Sequence, residues 1–502
     1  MSKKNENKLV PKLRFPEFTN CKDWEAKEFS EYIVLYRGSS PRPIQNYLTK
    51  DVSGVNWIKI GDTQNAINYV IRNVEEKITV EGSTKSRKVE IGEIVLANSM
   101  SFGKTYLLEI AGYIYDGWFV LREYEKHFNK HFLLQLLNSE HLQKQYKRLS
   151  AGGIVQNISS EIVYKTILSH TSLSEQQKIA SCLSSLDEVI TAESQQLELL
   201  KDHKKGLLQN LFPTDSITND QLRITDNTRN SITNDQLRIT DNTRNSITND
   251  QLRITDNTKT RNSKFVIRNS AVPKFRFKEF ENSGEWVVKK LGEVVEKVGS
   301  GVTPLGGEAN YKQTGRPLVR SQNVSWGTFL LDNIAFIDEE THQNQISTEI
   351  KNDDVLLNIT GASIGRSAVA NEYVVGGNVN QHVCIIRVKI ERLHPYYLNQ
   401  FLISDFGQKQ IDSFQAGGNR QGLNFAQIRS FSIPIPTIKE QQKIASCLSS
   451  IDDLIIAQSQ KIEALQLHKK GLLQGLFPSI TNYESENYDN NVIRNSKFLI
   501  EK

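Results

Sequence analysis

The sequence predicts an α+β (mixed α/β) protein built as an internal duplication: two globular domains, each followed by one long helix, with pseudo-two-fold character. Three observations predict it. Residues 175–213 and 440–478 are one 39-residue segment written twice, with 28 positions identical. Both copies carry a heptad-like apolar stripe, the pattern of a helix that buries one seam. Ahead of each copy, short anchors recur at a near-constant offset while the residues between them diverge.

The elements follow in chain order. The first domain, 1–173, opens on Val10-Pro-Lys-Leu-Arg-Phe-Pro-Glu-Phe18 with Trp24 behind it; the second, 271–438, opens on Val272-Pro-Lys-Phe-Arg-Phe-Lys-Glu-Phe280 with Trp286. Gly103-Lys104 answers to Gly365-Arg366, and Ala-Gly-Gly stands at both 151–153 and 416–418. β-like runs at 55–60, 93–96, 113–121, 317–320, 354–358 and 383–388, with helical segments at 130–146 and 395–411, give each domain a mixed content.

The first long helix, 174–213, has a seam of Ile179, Leu183, Leu186, Ile190, Leu197, Leu200, Leu207 and Leu211. The second, 439–478, repeats it at Ile444, Leu448, Ile451, Ile455, Ile462, Leu465, Leu472 and Leu476. Glu193 and Lys204 interrupt one seam where Gln458 and Lys469 interrupt the other, and such polar positions fix register. Ser172 with Glu175, and Thr437 with Glu440, predict capping boxes; Leu-Phe-Pro closes each helix because proline cannot continue it. Roughly 36 residues at about 1.5 Å each make a rod of about 54 Å, whose stripe cannot stay in water. The match extends to surface lysines such as Lys205 and Lys470, so the helices are expected to pair and to present a common face to a partner.

Between the halves, 214–270 reads as a flexible linker. It holds three tandem 15-residue copies of SITNDQLRITDNTRN over 216–260, the last altered at its end. Their Ser, Thr, Asn and Asp compete for backbone hydrogen bonds and disfavour a helix. Pieces of the linker return in the tail, 479–502.

With 38% hydrophobic and 8% aromatic residues the chain can fill ordinary cores, and its net charge of +5 says little by itself about nucleic acid. No run of 18 apolar residues occurs and the opening lacks a signal-like apolar stretch, so neither membrane spanning nor export is expected. Four cysteines, two of them at equivalent helix positions (Cys182 and Cys447), read as apolar fillers in a reducing, cytoplasmic setting.

Motifs for chemistry are missing where an enzyme would need them. Gly299-Ser-Gly301 is a lone G-x-G, and Gly103-Lys104-Thr105 lacks the first glycine of a phosphate loop, Asn98 standing there. His127 and His131 lie four apart without a third ligand nearby. Catalytic, cofactor-binding and metal residues are therefore expected to be none. Polar and basic residues remain in the divergent regions: Arg37, Ser39, Arg42, Lys85, Arg87, Lys88 and Lys104 in the first half, and Lys312, Arg316, Arg320, Gln322, Asn323, Arg366, Asn419, Arg420 and Gln421 in the second. Such side chains read base edges and neutralise phosphates.

Two divergent globules, each followed by a Glu-Gln-Gln-Lys-Ile-Ala helix that ends His-Lys-Lys-Gly-Leu-Leu-Gln-x-Leu-Phe-Pro, resemble the specificity (S) subunit of type I restriction–modification systems. The Pro-Lys-x-Arg-Phe-x-x-Phe opening with its Trp, and Pro434-Ile-Pro436 before the second helix, extend the resemblance; in the first half, residues 168–173 replace those prolines. The resemblance implies two target recognition domains separated by an antiparallel coiled coil of the two long helices. Each domain would read half of a bipartite, asymmetric double-stranded DNA target. The helices would dock two modification subunits, which bind S-adenosylmethionine and methylate adenine, and two restriction subunits would add ATP- and Mg2+-dependent translocation and cleavage. This chain would itself bind no cofactor. The competing expectations are a coiled-coil adaptor that never touches DNA and a self-contained DNA-modifying enzyme, the latter disfavoured by the missing motifs.

Overall fold

The computed structural model describes residues 9–99, 103–150, 157–213, 270–304, 306–415 and 422–478. The tandem repeats, the tail and both Ala-Gly-Gly anchors lie outside these residues. The chain folds into two compact units whose bounds differ from chain order: one gathers the described residues up to Leu197 with those from Ala457 onward, the other holds Glu198–Ile456. Each unit thus contains a globule, the start of the long helix that follows it, and the end of the helix from the other half. Cuts at 173/174 and 438/439 separate secondary structure but not packing, because the apolar helix ends need a core to enter.

In the first unit a five-stranded sheet runs in the order Val34–Arg37, Trp118–Arg122, Ile94–Ala97, Thr105–Leu108, Val70–Ile71, antiparallel until its last, parallel pair. Ile94–Ala97 and Thr105–Leu108 are buried at every position. Both faces are covered, and alternate residues serve different cores. Ile94, Leu96, Leu107, Phe119 and Leu121 join a core that includes the helices, whereas Val95, Ala97, Tyr106, Leu108, Trp118 and Val120 join a second core. That second core is covered by another five-stranded sheet, Leu48–Thr49, Glu76–Ile78, Val55–Ile58, Gly112–Ile114, Arg87–Val89. The single strand expected over 113–121 is divided between the two sheets, because Trp118 donates its N–H to the Tyr115 carbonyl in a turn.

The second unit repeats this logic with fewer strands. Val295–Ser300, Val383–Val388, Val355–Asn358 and Ser367–Val369 form a four-stranded sheet, and Ala335–Ile337, Arg316–Val319 and Asn378–Val379 a three-stranded one. Val355, Leu357, Cys384 and Ile386 face one core while Leu356, Val383 and Ile385 face another.

The expected helices 130–146 and 395–411 each divide at a serine. Lys130–Asn138 and Glu140–Leu149 meet at Ser139, with φ −61° and ψ 151°; Pro395–Ile403 and Asp405–Ser413 meet at Ser404, with φ −71° and ψ 162°. Each hydroxyl accepts the N–H three residues on, of Leu142 or Gly407, so one residue stops a helix and caps the next.

The long helices are Leu173–Leu211 and Ile438–Leu476, 39 residues each. None of the sixteen seam residues is exposed. The seam ends enter the globules: Ile179 and Leu183 share the first unit's helical core with Leu476, and Ile444 and Leu448 share the second unit's with Leu211.

Candidate nucleic-acid interface

The duplicated motifs build one frame twice. Arg14, from the first opening motif, donates through Nε and a terminal nitrogen to both oxygens of Glu175, each at 2.8 Å; Arg276 does the same to Glu440 at 2.7 and 2.8 Å. Both carboxylates are buried, 1% and 0% exposed. This corrects half of the expected capping boxes. Glu175 and Glu440 do donate their N–H groups to Ser172 and Thr437, but the carboxylates turn to the arginines. A two-pronged charged pair holds the opening motif to the helix start more firmly than a cap would.

Further along, Gln176 takes the N–H of Asn129 and donates to the carbonyls of His127 and Thr171; Gln441 takes the N–H of His394 and donates to Arg392 and Pro436. Gln145 bonds both backbone groups of Ile167, and Gln410 both of Ser432. The polar seam residues meet partners too. Lys469 reaches Asp187 at 2.6 Å, and Gln135 donates to the same carboxylate; in the other unit Lys204 reaches Asp452 at 2.6 Å beside Gln400. Glu193 pairs with Gln458 and with Lys461, so within the first unit the two helix segments run in opposite directions.

Against that common frame the candidate DNA-reading residues are arranged differently. In the first unit Ser39, Lys85, Arg87 and Lys88 line one concavity of about 500 Å³ together with Arg122 and Glu90. Four cations line it, but Glu81, Glu90 and Glu93 pair with Lys85, Lys88 and Arg122, which leaves Arg87 as the one without an acid partner among the described residues. Arg87 and Arg122 each lie 5.4 Å from the Tyr36 ring, Arg122 also pairing with Glu93. Lys85 sits over the Tyr47 ring and Lys88 pairs with Glu90. Arg42 belongs to a neighbouring concavity with Trp57, Lys59 and Tyr115, and pairs with Asp116 at its rim, where Arg37 donates to the Asp116 carbonyl. Lys104 stands apart, 5.7 Å from the Tyr69 ring, its pKa lowered by burial and by Lys147.

In the second unit Arg316, Arg320 and Lys312 likewise pair with nearby acids. Arg316 pairs with Glu339, whose pKa it holds down to about 2. Arg320 pairs with Glu308, donates to the Asn333 carbonyl and lies over Tyr311, and Lys312 pairs with Asp338. Asn323 must be removed from the candidates. It is 1% exposed, its carbonyl oxygen accepts the Arg320 N–H and its amide donates to the Leu330 carbonyl. Gln322 is exposed and Arg366 partly so. Asn419, Arg420 and Gln421 lie outside the described residues.

Tyr36 and Arg122 were not among the sequence candidates. Tyr36 lies in a strand with no buried position, and Arg122 ends a strand whose other residues are all buried, so neither strand's pattern marks it as part of a site. His127 proves to be a packing residue, its ring 5.0 Å from Tyr32 and 5.8 Å from His170. Among the described residues no group of three potential metal ligands occurs, and no helix is long and apolar enough to cross a membrane.

Comparison with known proteins agrees with the duplication. The family model described as type I restriction modification DNA specificity domain matches residues 21–202 and again 283–467. The type I restriction enzyme MjaVIII specificity subunit of Methanocaldococcus jannaschii is 21% identical over 502 residues, covering 97% of this chain and 98% of that one. The putative MjaX specificity subunit from the same organism is 26% identical over 200 residues, or 38% of this chain and 45% of the relative, so this match spans less than half of that relative. The crystal structure of the S subunit from M. genitalium shares the fold, with a TM-score of 0.54 at 14% identity over 94% of this chain and 100% of that one. One match falls on each half and ends inside its long helix, as the repeated frame demands, and the chain belongs to the family of type I restriction–modification specificity subunits.

Proposed function

We propose that this chain reads a bipartite, asymmetric double-stranded DNA target, one half-site through each globule, and catalyses nothing itself. The long helices would form an antiparallel coiled coil that sets the unread spacer, since half-site separation follows the distance between reading elements. They would dock two modification subunits carrying S-adenosylmethionine, and two restriction subunits using ATP and Mg2+ would complete the complex in the cytoplasm. The observation that supports this best is the contrast just described. The Arg14–Glu175 and Arg276–Glu440 pairs agree in both of their bonds, while the polar surfaces carried beside them differ in residue type and pairing. A docking scaffold for two copies of one partner needs sameness, and a reader of two different half-sites needs difference.

The test is genome-wide adenine methylation, by single-molecule sequencing, in a host expressing this chain with its modification subunit and in the same host lacking the chain. A two-part motif present only with the chain is the expected result. A folded complex that leaves no motif, with DNA binding that does not weaken as salt rises, would favour the adaptor instead.

A further inference from the structure

Arg87 is set apart from the other candidate arginines by how it is held. Its Nε donates to the Arg37 carbonyl at 2.5 Å and its guanidinium lies 5.4 Å from the Tyr36 ring, on the wall of the 500 Å³ concavity. Two contacts from the same strand, Val34–Arg37, therefore fix the plane of the group. Neither terminal nitrogen has a partner among the described residues. Arg316 and Arg320 have terminal nitrogens tied to Glu339 or Glu308 and to backbone carbonyls, and Arg122 is tied to Glu93 and the Lys88 carbonyl. The terminal nitrogens of Arg37 also have no partner among the described residues, but it is exposed and held by one bond of 3.3 Å.

A braced guanidinium with a free fork is the geometry for two parallel hydrogen bonds to one rigid acceptor pair. Guanine offers such a pair, O6 and N7, in the major groove. A phosphate also accepts a fork, but phosphate contacts do not need one, and two exposed lysines stand beside this arginine: Lys88 is 63% exposed and Lys85 49%. Resting on the DNA-reading proposal above, we infer that Arg87 is a specificity-determining residue that reads one guanine of the half-site recognised by the first unit. Lys85 and Lys88 supply phosphate contacts around it.

The experiment maps adenine methylation in hosts carrying the whole complex with the wild-type chain, Arg87→Ala, Arg87→Lys or Lys88→Ala. Arg87→Ala is expected to turn one guanine position of one half-site degenerate, with preference over the other bases falling by roughly 5- to 150-fold. The other half-site and the spacer stay unchanged, which shows that the variant folds and assembles. Arg87→Lys keeps part of the preference, because an ammonium still donates to O6 and N7 but lacks the fixed planar fork, and Lys88→Ala lowers methylation evenly over all sites. An even loss in Arg87→Ala without degeneracy would assign Arg87 to phosphate and overturn the inference, as would an unchanged motif. Failure of the wild-type chain to direct any motif would instead overturn the DNA-reading proposal itself.

Discussion

The two units share a frame, differ at two of its joints and differ again in the surface it carries, and those differences separate what holds the molecule together from what each half was left free to change. Arg14 with Glu175 and Arg276 with Glu440 match in geometry and burial. The tryptophans behind them do not. Trp286 donates its indole N–H to Glu440 at 3.3 Å, whereas the buried Trp24 Nε1 has no acceptor among the described residues. The strand ahead of the helix differs as well: His170 stands opposite Glu25 where Ile435 stands opposite Val287. The third difference lies in the carried surface: in the first unit the candidate cations gather along one concavity that includes Arg87, whose guanidinium has no acid partner among the described residues, whereas Lys312, Arg316 and Arg320 of the second each pair with an acid.

The largest effect is expected from cutting the shared pair. Arg14→Ala and Arg276→Ala should each destabilise their unit by about 3–5 kcal/mol, because a buried carboxylate loses its compensating charge. Denaturant unfolding followed in both variants should show comparable losses, and a large loss in one with none in the other would break the equivalence. The tryptophans sharpen it. Trp286→Phe should cost about 1.5 kcal/mol more than Trp24→Phe, since only Trp286 gives up a hydrogen bond to a charged group. Equal losses in the two variants would mean that the indole bond contributes nothing.

How much of this was legible in the sequence follows from the range of the interactions. The long helices were readable because their seam is a local, repeating pattern, and the capping serine and threonine were readable because a cap acts within one turn. The breaks at Ser139 and Ser404 were hidden because apolar spacing continues across them and only the backbone turns. The pairing of Glu175 with Arg14 spans 161 positions, and that of Lys469 with Asp187 spans 282, so neither leaves a local mark. For the candidate site, residue type nominated the first unit's cations, but which were free depended on acids brought near by folding. Arg316 beside Glu339 shows how a plausible reader becomes an ordinary surface pair.

The smallest expected effect concerns acid. Burial, chiefly, keeps the His170 pKa below its ordinary 6.5, with His127 and Lys27 pushing the same way and the Thr171 carbonyl and Glu25 opposing. The folded state therefore holds the neutral ring while the unfolded chain takes up a proton first. Stability is level above about pH 6.5 and declines as pH falls from there toward the lower folded value. His170→Ile, which copies the second unit, should flatten part of that decline in unfolding midpoints measured between about pH 7.5 and 5.5. Part should remain, because burial lowers the His394 pKa also. An unaltered slope would mean that His170 takes no part.

The helix ends that enter the cores also fix an order of events during synthesis. Phe212 packs against Tyr397 and Phe401, and everything the second unit needs lies in one contiguous stretch, Glu198–Ile456. The first unit is made first yet finishes last. Phe477 lies against Trp24 and Phe132, and Leu13 donates to the Gly475 carbonyl, so its helical core stays open until nearly the whole second half has left the ribosome. A nascent chain halted between the two globules would carry a half-built reader with its apolar groove still uncovered, available to chaperones and proteases until the last helix arrives.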